Sequence, residues 1–95
     1  MTTRLTSARG VTEISDRALG RIARRAAGEA DGVRTRDAGS SDDGISLKIS
    51  VAYPSPAREA ARRARAAVRE RVEALTGVPA GRVDIDVVAM TRGTS

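Results

Sequence analysis

The residues best spaced for chemistry are Asp84 and Asp86, two carboxylates on alternate positions of the stretch VDIDVV. A divalent cation or an acid–base step could use such a pair. A calcium-type site, however, takes six or more oxygen ligands, and two carboxylates on one strand supply too few. Alternation with Val83, Ile85 and Val87 reads instead as the solvent side of a strand, with the aspartates pairing to Lys48 or a nearby arginine. Asp42 and Asp43 sit in the polar run AGSSDDG and read as turn chemistry.

What the sequence lacks narrows the field further. It has no cysteine and no histidine. That excludes disulfides, thiolate zinc sites and thiol nucleophiles, and it removes the commonest general base and metal ligand. Lys48 is the only lysine, flanked by Ser46 and Ser50 on one strand face, and nothing in the pattern gives it the burial a catalytic amine would need. Gly28, Gly32, Gly77 and Gly81 fall at helix ends, not in a phosphate-binding loop. The expectation is a protein without catalytic residues, metal or cofactor.

The arginines carry the stronger hint. The net charge is +5, and all of the excess falls on two predicted helices. Residues 16–30 hold Arg17, Arg21, Arg24 and Arg25 against Asp16 and Glu29. Residues 56–75 hold six arginines against Glu59, Glu70 and Glu73. On the second helix Arg58, Arg62, Arg65 and Arg69 follow 4-3-4 spacing, which gathers them within about a quarter of the circumference. They form either a binding stripe or a solvated surface held by Glu59–Arg63 and Arg69–Glu73 pairs at i,i+4.

The elements that position these groups are legible in part. Residues 1–9 show no apolar period and read as a disordered arm, and residues 92–95 as a disordered tail, around one domain over 10–91. Val11–Ile14 reads as a short strand. Ser15 caps a helix whose buried stripe is Leu19, Ile22, Ala23, Ala26, Ala27 and Ala30, with Gly32 suited to a left-handed stop. Val33–Asp37 is a weak strand, and residues 38–44 read as a turn or hairpin loop. ISLKISVAY then alternates strictly, with Ile45, Leu47, Ile49, Val51 and Tyr53 on the buried face. Ser55 and Pro56 open the second helix, with Ala57, Ala61, Ala64, Val68, Val72 and Leu75 inward, and Gly77 ends it. Val83, Ile85, Val87 and Ala89 point inward on the last strand.

The order is β-α-β-β-α-β, and the fold class is α+β, a two-layer sandwich with two helices on one face of a small sheet. Tyr53 is the only aromatic residue, so the core is thin and alanine-rich. A chain of 95 residues buries only about 60–65% of its unfolded surface, so its stability should be modest unless association adds to it. The uncovered sheet face should present Val11, Val88 and Met90 among Glu13, Ser46, Lys48, Asp84 and Asp86.

Three stretches, GVTEISDRALGRIARRAAGEADGV, ISLKISVAYP and VRERVEALTGVPAGRVDIDVVAM, together resemble the alkaline shock protein family of Gram-positive envelope-stress proteins. Its opening pattern is matched by Gly10, Ile14, Ser15, Ile22, Ala23, Ala26, Gly32 and Val33. Its closing pattern is matched by Val68, Val72, Glu73, Thr76, Gly77, Val83, Asp84, Ile85 and Val87. The resemblance covers roughly residues 10–90. Many members carry a longer glycine-rich insertion before the central strand, and here only residues 34–44 stand in its place. The resemblance implies a non-enzymatic cytoplasmic protein of cell-envelope homeostasis, membrane-proximal through a small membrane-anchored partner, which associates with itself or with related members.

No stretch approaches the ~18 apolar residues of a membrane span, and Met1–Gly10 lacks a signal peptide's apolar run, which makes the cytoplasm the expected compartment. The alternative function is a nonspecific nucleic-acid-binding domain that uses its arginine-rich helix faces. Sequence-selective RNA modules stack bases on sheet aromatics, and here only Tyr53 exists, pointing by its parity toward the helices. Titration calorimetry with Ca²⁺, Mg²⁺, Mn²⁺ and Zn²⁺ is expected to show no site tighter than roughly 0.1 mM. A tighter site abolished by Asp84→Asn with Asp86→Asn would instead assign metal chemistry to the last strand.

Overall fold

The computed structural model describes residues 2–7, 10–41 and 43–92. The backbone runs β1 (Thr2–Ser7), β2 (Gly10–Ser15), α1 (Asp16–Gly28), β3 (Val33–Ser41), β4 (Gly44–Tyr53), α2 (Ala57–Thr76) and β5 (Val83–Arg92). From Gly10 onward this is the expected β-α-β-β-α-β order. The fold is α+β, with both helices packed on a three-stranded sheet of order β3-β4-β5.

β4 is the central strand because its alternation is the cleanest in the chain. Ile45, Leu47, Ile49 and Val51 are fully buried toward the helices. β3 runs antiparallel on one side of it and β5 parallel on the other. A parallel neighbour requires a crossover connection, which α2 supplies. α1 lies over β3, α2 over β5, and the helices meet each other. Their facing residues are small, with Ala23, Ala26 and Ala27 on α1 and Ala60 and Ala64 on α2 all buried.

The helix ends follow local chemistry. The Ser15 hydroxyl accepts from the Ala18 N–H at 3.1 Å, so this residue caps α1 as its type predicts. α1 stops at Gly28, two residues short of the expected end. There Glu29 and Ala30 donate to carbonyls three residues back, which tightens the chain out of the helix. Gly32 does adopt the left-handed conformation (φ 75°), but in the turn into β3, not directly after the helix. Gly77 (φ 76°) ends α2 as expected, its N–H donating to the Glu73 carbonyl at 2.8 Å.

Several expectations are corrected. Thr2–Ser7, expected to be disordered, forms β1 and pairs antiparallel with β2 from Thr2↔Ser15 to Ser7↔Gly10. Threonine-rich segments favour extended backbone without showing an apolar period. These two strands form a sheet of their own, so β2 does not join β3–β5. β3 continues to Ser41 through the supposed loop, because backbone pairing with β4 outweighs the turn-like composition. Arg92, placed in the tail, ends β5; residues 93–95 lie outside the described residues. Pro56, in extended conformation, is the N-cap of α2, so Ser55 does not cap it.

The buried stripe of α2 is Ala60, Ala64, Val68 and Val72. Ala57 and Ala61 are only half-buried, and Leu75 is 61% exposed. The core below Leu75 is closed instead by Val78 and Ala80, both buried after the chain reverses at Gly77. Thr76 holds that reversal, its hydroxyl lying 2.7 Å from the Val72 carbonyl and accepting from the Val78 N–H at 3.2 Å. Tyr53 is 67% exposed and not inward, since it sits at the last position of β4, where the chain turns toward α2.

One glycine is fixed by close approach. Gly44 opens β4 at φ 127°, and a Cβ there would collide with the Arg82 carbonyl oxygen and lie 2.9 Å from the Arg82 Cβ. That same oxygen accepts the Ile45 N–H at 2.9 Å and so starts the β4–β5 ladder. Gly44→Ala is therefore expected to lose at least about 1–3 kcal/mol from backbone strain alone. Gly39→Ala, where nothing lies within 4 Å, should stay within about 0.5 kcal/mol of wild type. Urea unfolding of both variants checks the contrast.

Candidate interaction surfaces

Arg58, Arg62 and Arg69 are exposed along α2, as their spacing predicts. Arg65 is different. It is half-buried, and its Nε donates to the Val83 carbonyl at 3.1 Å. Because the Arg82 carbonyl points to β4, strand alternation turns the Val83 carbonyl toward the outer edge. Arg65 thus satisfies a strand-edge acceptor, and one member of the arginine stripe is structural. Arg63 pairs with Glu59 at 3.7 Å. Arg69 and Glu73 do not pair, whereas Arg71 reaches across to Glu29 at the end of α1.

The sheet face away from the helices carries Ser46, Lys48, Asp84 and Asp86, all exposed. Asp84 pairs with Arg82 at 3.0 Å. Asp37, Lys48 and Asp86 stand in register across the three strands, an acid–base–acid row. The aspartates of β5 thus occupy a charged, solvated face. Among the described residues, no three acidic side chains gather as a metal site would require. Asp43 lies in the hairpin turn, where its N–H donates to the Ser41 hydroxyl at 3.2 Å; Asp42 lies outside the described residues. Ser50 was expected beside Lys48 on the wet face but is only 2% exposed.

The predicted apolar patch is rearranged. The Val11 side chain lies outside the described side chains, and its strand pairs with β1, so it does not sit on the three-stranded sheet with Val88 and Met90. Val88 and Met90 are each 48% exposed. A bulge changes the parity of β5: Val87 pairs with Ile49 and Ala89 with Ser50, which leaves Val88 as the extra residue. Ala89, expected inward, thus falls on the face away from the helices, and Met90, expected there, stands opposite Val51 on the helix side. β5 is one of the two edge strands of this sheet, with its outward N–H and C=O groups unpaired by any strand among the described residues.

Two features were not legible in the sequence. One is a patch between the helices where Leu75 and half-buried Ile22 lie among Arg21, Arg25 and Arg71. The other is a groove of about 470 Å³ at one end of the uncovered face, lined by residues from the α1–β3 turn, β3, β4 and β5. Arg34, Arg36 and Arg92 are among its lining residues. The arginine count was visible, but not the register that joins positions so far apart in the chain.

The chain matches no family model, no curated protein and no solved structure at a significant level.

The Arg65 contact separates structural from available arginines. Arg65→Met keeps the apolar stem but removes the donor, and it is expected to cost about 1 kcal/mol. Arg62→Met should change stability by less than about 0.5 kcal/mol. Chemical denaturation of the pair is the measurement.

Proposed function

We propose that this chain is a non-enzymatic interaction module of the cell-envelope stress response, of the alkaline shock type. It works by associating with itself or with related chains and by docking a small membrane-anchored partner, which would hold it near the membrane from the cytoplasmic side. The observation that carries the reading is β5, ten residues long, at the sheet edge beside a face that no helix covers. An edge strand offers a ready row of main-chain donors and acceptors to another chain. Val88, at the bulge, and Met90, on the helix side of the strand, add exposed apolar surface along β5 itself. The resemblance in motif order over residues 10–90 is what supports the family and its envelope role. No helix among the described residues is long and apolar enough to cross a membrane, so membrane proximity in this reading comes through the partner.

Nucleic-acid binding is the second reading, favoured by the exposed guanidinia of Arg58, Arg62 and Arg69. Arginine–phosphate contacts alone give binding that is blind to sequence and falls steeply with salt.

Sedimentation over a wide concentration range, for wild type and for Val88→Lys with Met90→Lys, tests the lead reading. Wild type is expected to associate and the folded double variant to stay monomeric. A wild type that is still monomeric at about 0.5 mM, far above a micromolar Kd, would remove the self-association half. Fluorescence anisotropy with random and defined oligonucleotides at two salt concentrations addresses the second reading. Submicromolar, sequence-selective binding at physiological salt would displace the lead.

A further inference from the structure

We propose that the groove at the end of the uncovered sheet face binds a phosphate-bearing anion, either a soluble phosphate compound or the headgroup of an anionic lipid. This site is separate from the β5 edge's docking role and from the arginine stripe of α2.

The groove exists because of where the small residues and the bulges fall. Ser50 and Ala52 of the central strand line it with short side chains, Ser50 almost wholly buried and Ala52 half-buried. Both edge strands carry an extra residue at the level of Ile49. In β3, Thr35 pairs with Ile49 and Asp37 with Lys48, leaving Arg36 unpaired in the ladder. In β5 the extra residue is Val88. Bulges sharpen the local twist and re-aim side chains. Both bulges lie at the level of Ile49, and Arg36, the extra residue of β3, lines the groove. The volume, about 470 Å³, falls within the range of small-molecule sites.

The charge is selective for anions. Arg34 and Arg36 come from β3 and Arg92 from β5, so three arginines on the two strands flanking β4 line one groove. None of the three forms an ion pair or side-chain hydrogen bond among the described residues. Of the two acids on the rim, Glu29 is already held by Arg71, which leaves Asp31 alone against three cations. The hydroxyl of the exposed Thr91 adds a neutral donor. Planar guanidinium forks match the oxygen geometry of phosphate and give paired, charge-assisted hydrogen bonds.

The test uses the full chain, labelled with ¹⁵N, and two probes. Inorganic phosphate is titrated while amide shifts are followed, and flotation is measured with phosphatidylcholine vesicles with or without phosphatidylglycerol. The test variant is Arg34→Gln with Arg36→Gln and Arg92→Gln. The control, Arg58→Gln with Arg62→Gln and Arg69→Gln, removes equal charge elsewhere. Dispersed amide spectra establish that each variant is folded. Arg36→Lys, which keeps the charge but not the fork, provides a milder change.

Saturable shifts confined to residues 29–36, 50–52 and 91–92 are expected. They should weaken by about tenfold per arginine removed and persist in the control. Shifts without flotation mean a soluble ligand. Flotation on phosphatidylglycerol vesicles that only the groove variant loses means a lipid headgroup. Equal losses in both triple variants, or no saturable response to either probe, would overturn the proposal.

Discussion

The side chains of Ile45, Leu47, Ile49 and Val51 touch every layer of the main sandwich, since β3 and β5 flank their strand and both helices close over it. Among the described residues they are four of the seven largest fully buried side chains, the others being Leu19, Val68 and Val72. Burying each contributes about 1.5–3 kcal/mol, which is large against the marginal stability of a small domain. Their period of two fixes which face of β4 is inside, and a slip by one residue would turn the whole row to water. The register of both neighbouring strands, the crossover through α2 and the open face opposite all follow from that row.

The helices answer this thin layer with alanine. With no aromatic side chain in the core, the space between sheet and helices is filled by short side chains on closely approaching backbones. Such packing leaves little slack, so each small residue in the seam is constrained by volume. It also places the arginines of α2 just outside the seam. That position lets Arg65 reach back to the Val83 carbonyl while Arg58, Arg62 and Arg69 stay in solvent.

The sequence revealed the elements whose side chains alternate and hid those held mainly by backbone pairing. The β4 row, the Ser15 cap and the Gly77 reversal were legible because each rests on local chemistry. β1 and the second half of β3 were not, because threonine, serine and glycine at a sheet margin show no apolar period. Leu75 and Tyr53 had the right parity but stand at the ends of their elements, where the covering layer runs out. Of the candidate site, the 4-3-4 spacing of the arginines was visible, but the backbone contact of Arg65 was not. The bulges were invisible, since they depend on how three strands align and not on any one of them. The groove formed by Arg34, Arg36 and Arg92 was hidden for the same reason.

The acid–base–acid row across the uncovered face has a consequence for how that surface presents itself. Lys48 is the only amine side chain in the sequence, and it stands in register between Asp37 and Asp86. Acylating that single amine would remove the cation and leave two carboxylates facing solvent in the middle of the sheet. Of the other cations on that face, Arg82 is already committed to Asp84, and Arg34 and Arg36 stand on the side of the groove. The centre of the surface would turn from nearly neutral to acidic while the arginine-rich end stayed positive, giving the face a lengthwise dipole. One lysine therefore sets the electrostatic character of the whole middle of this face.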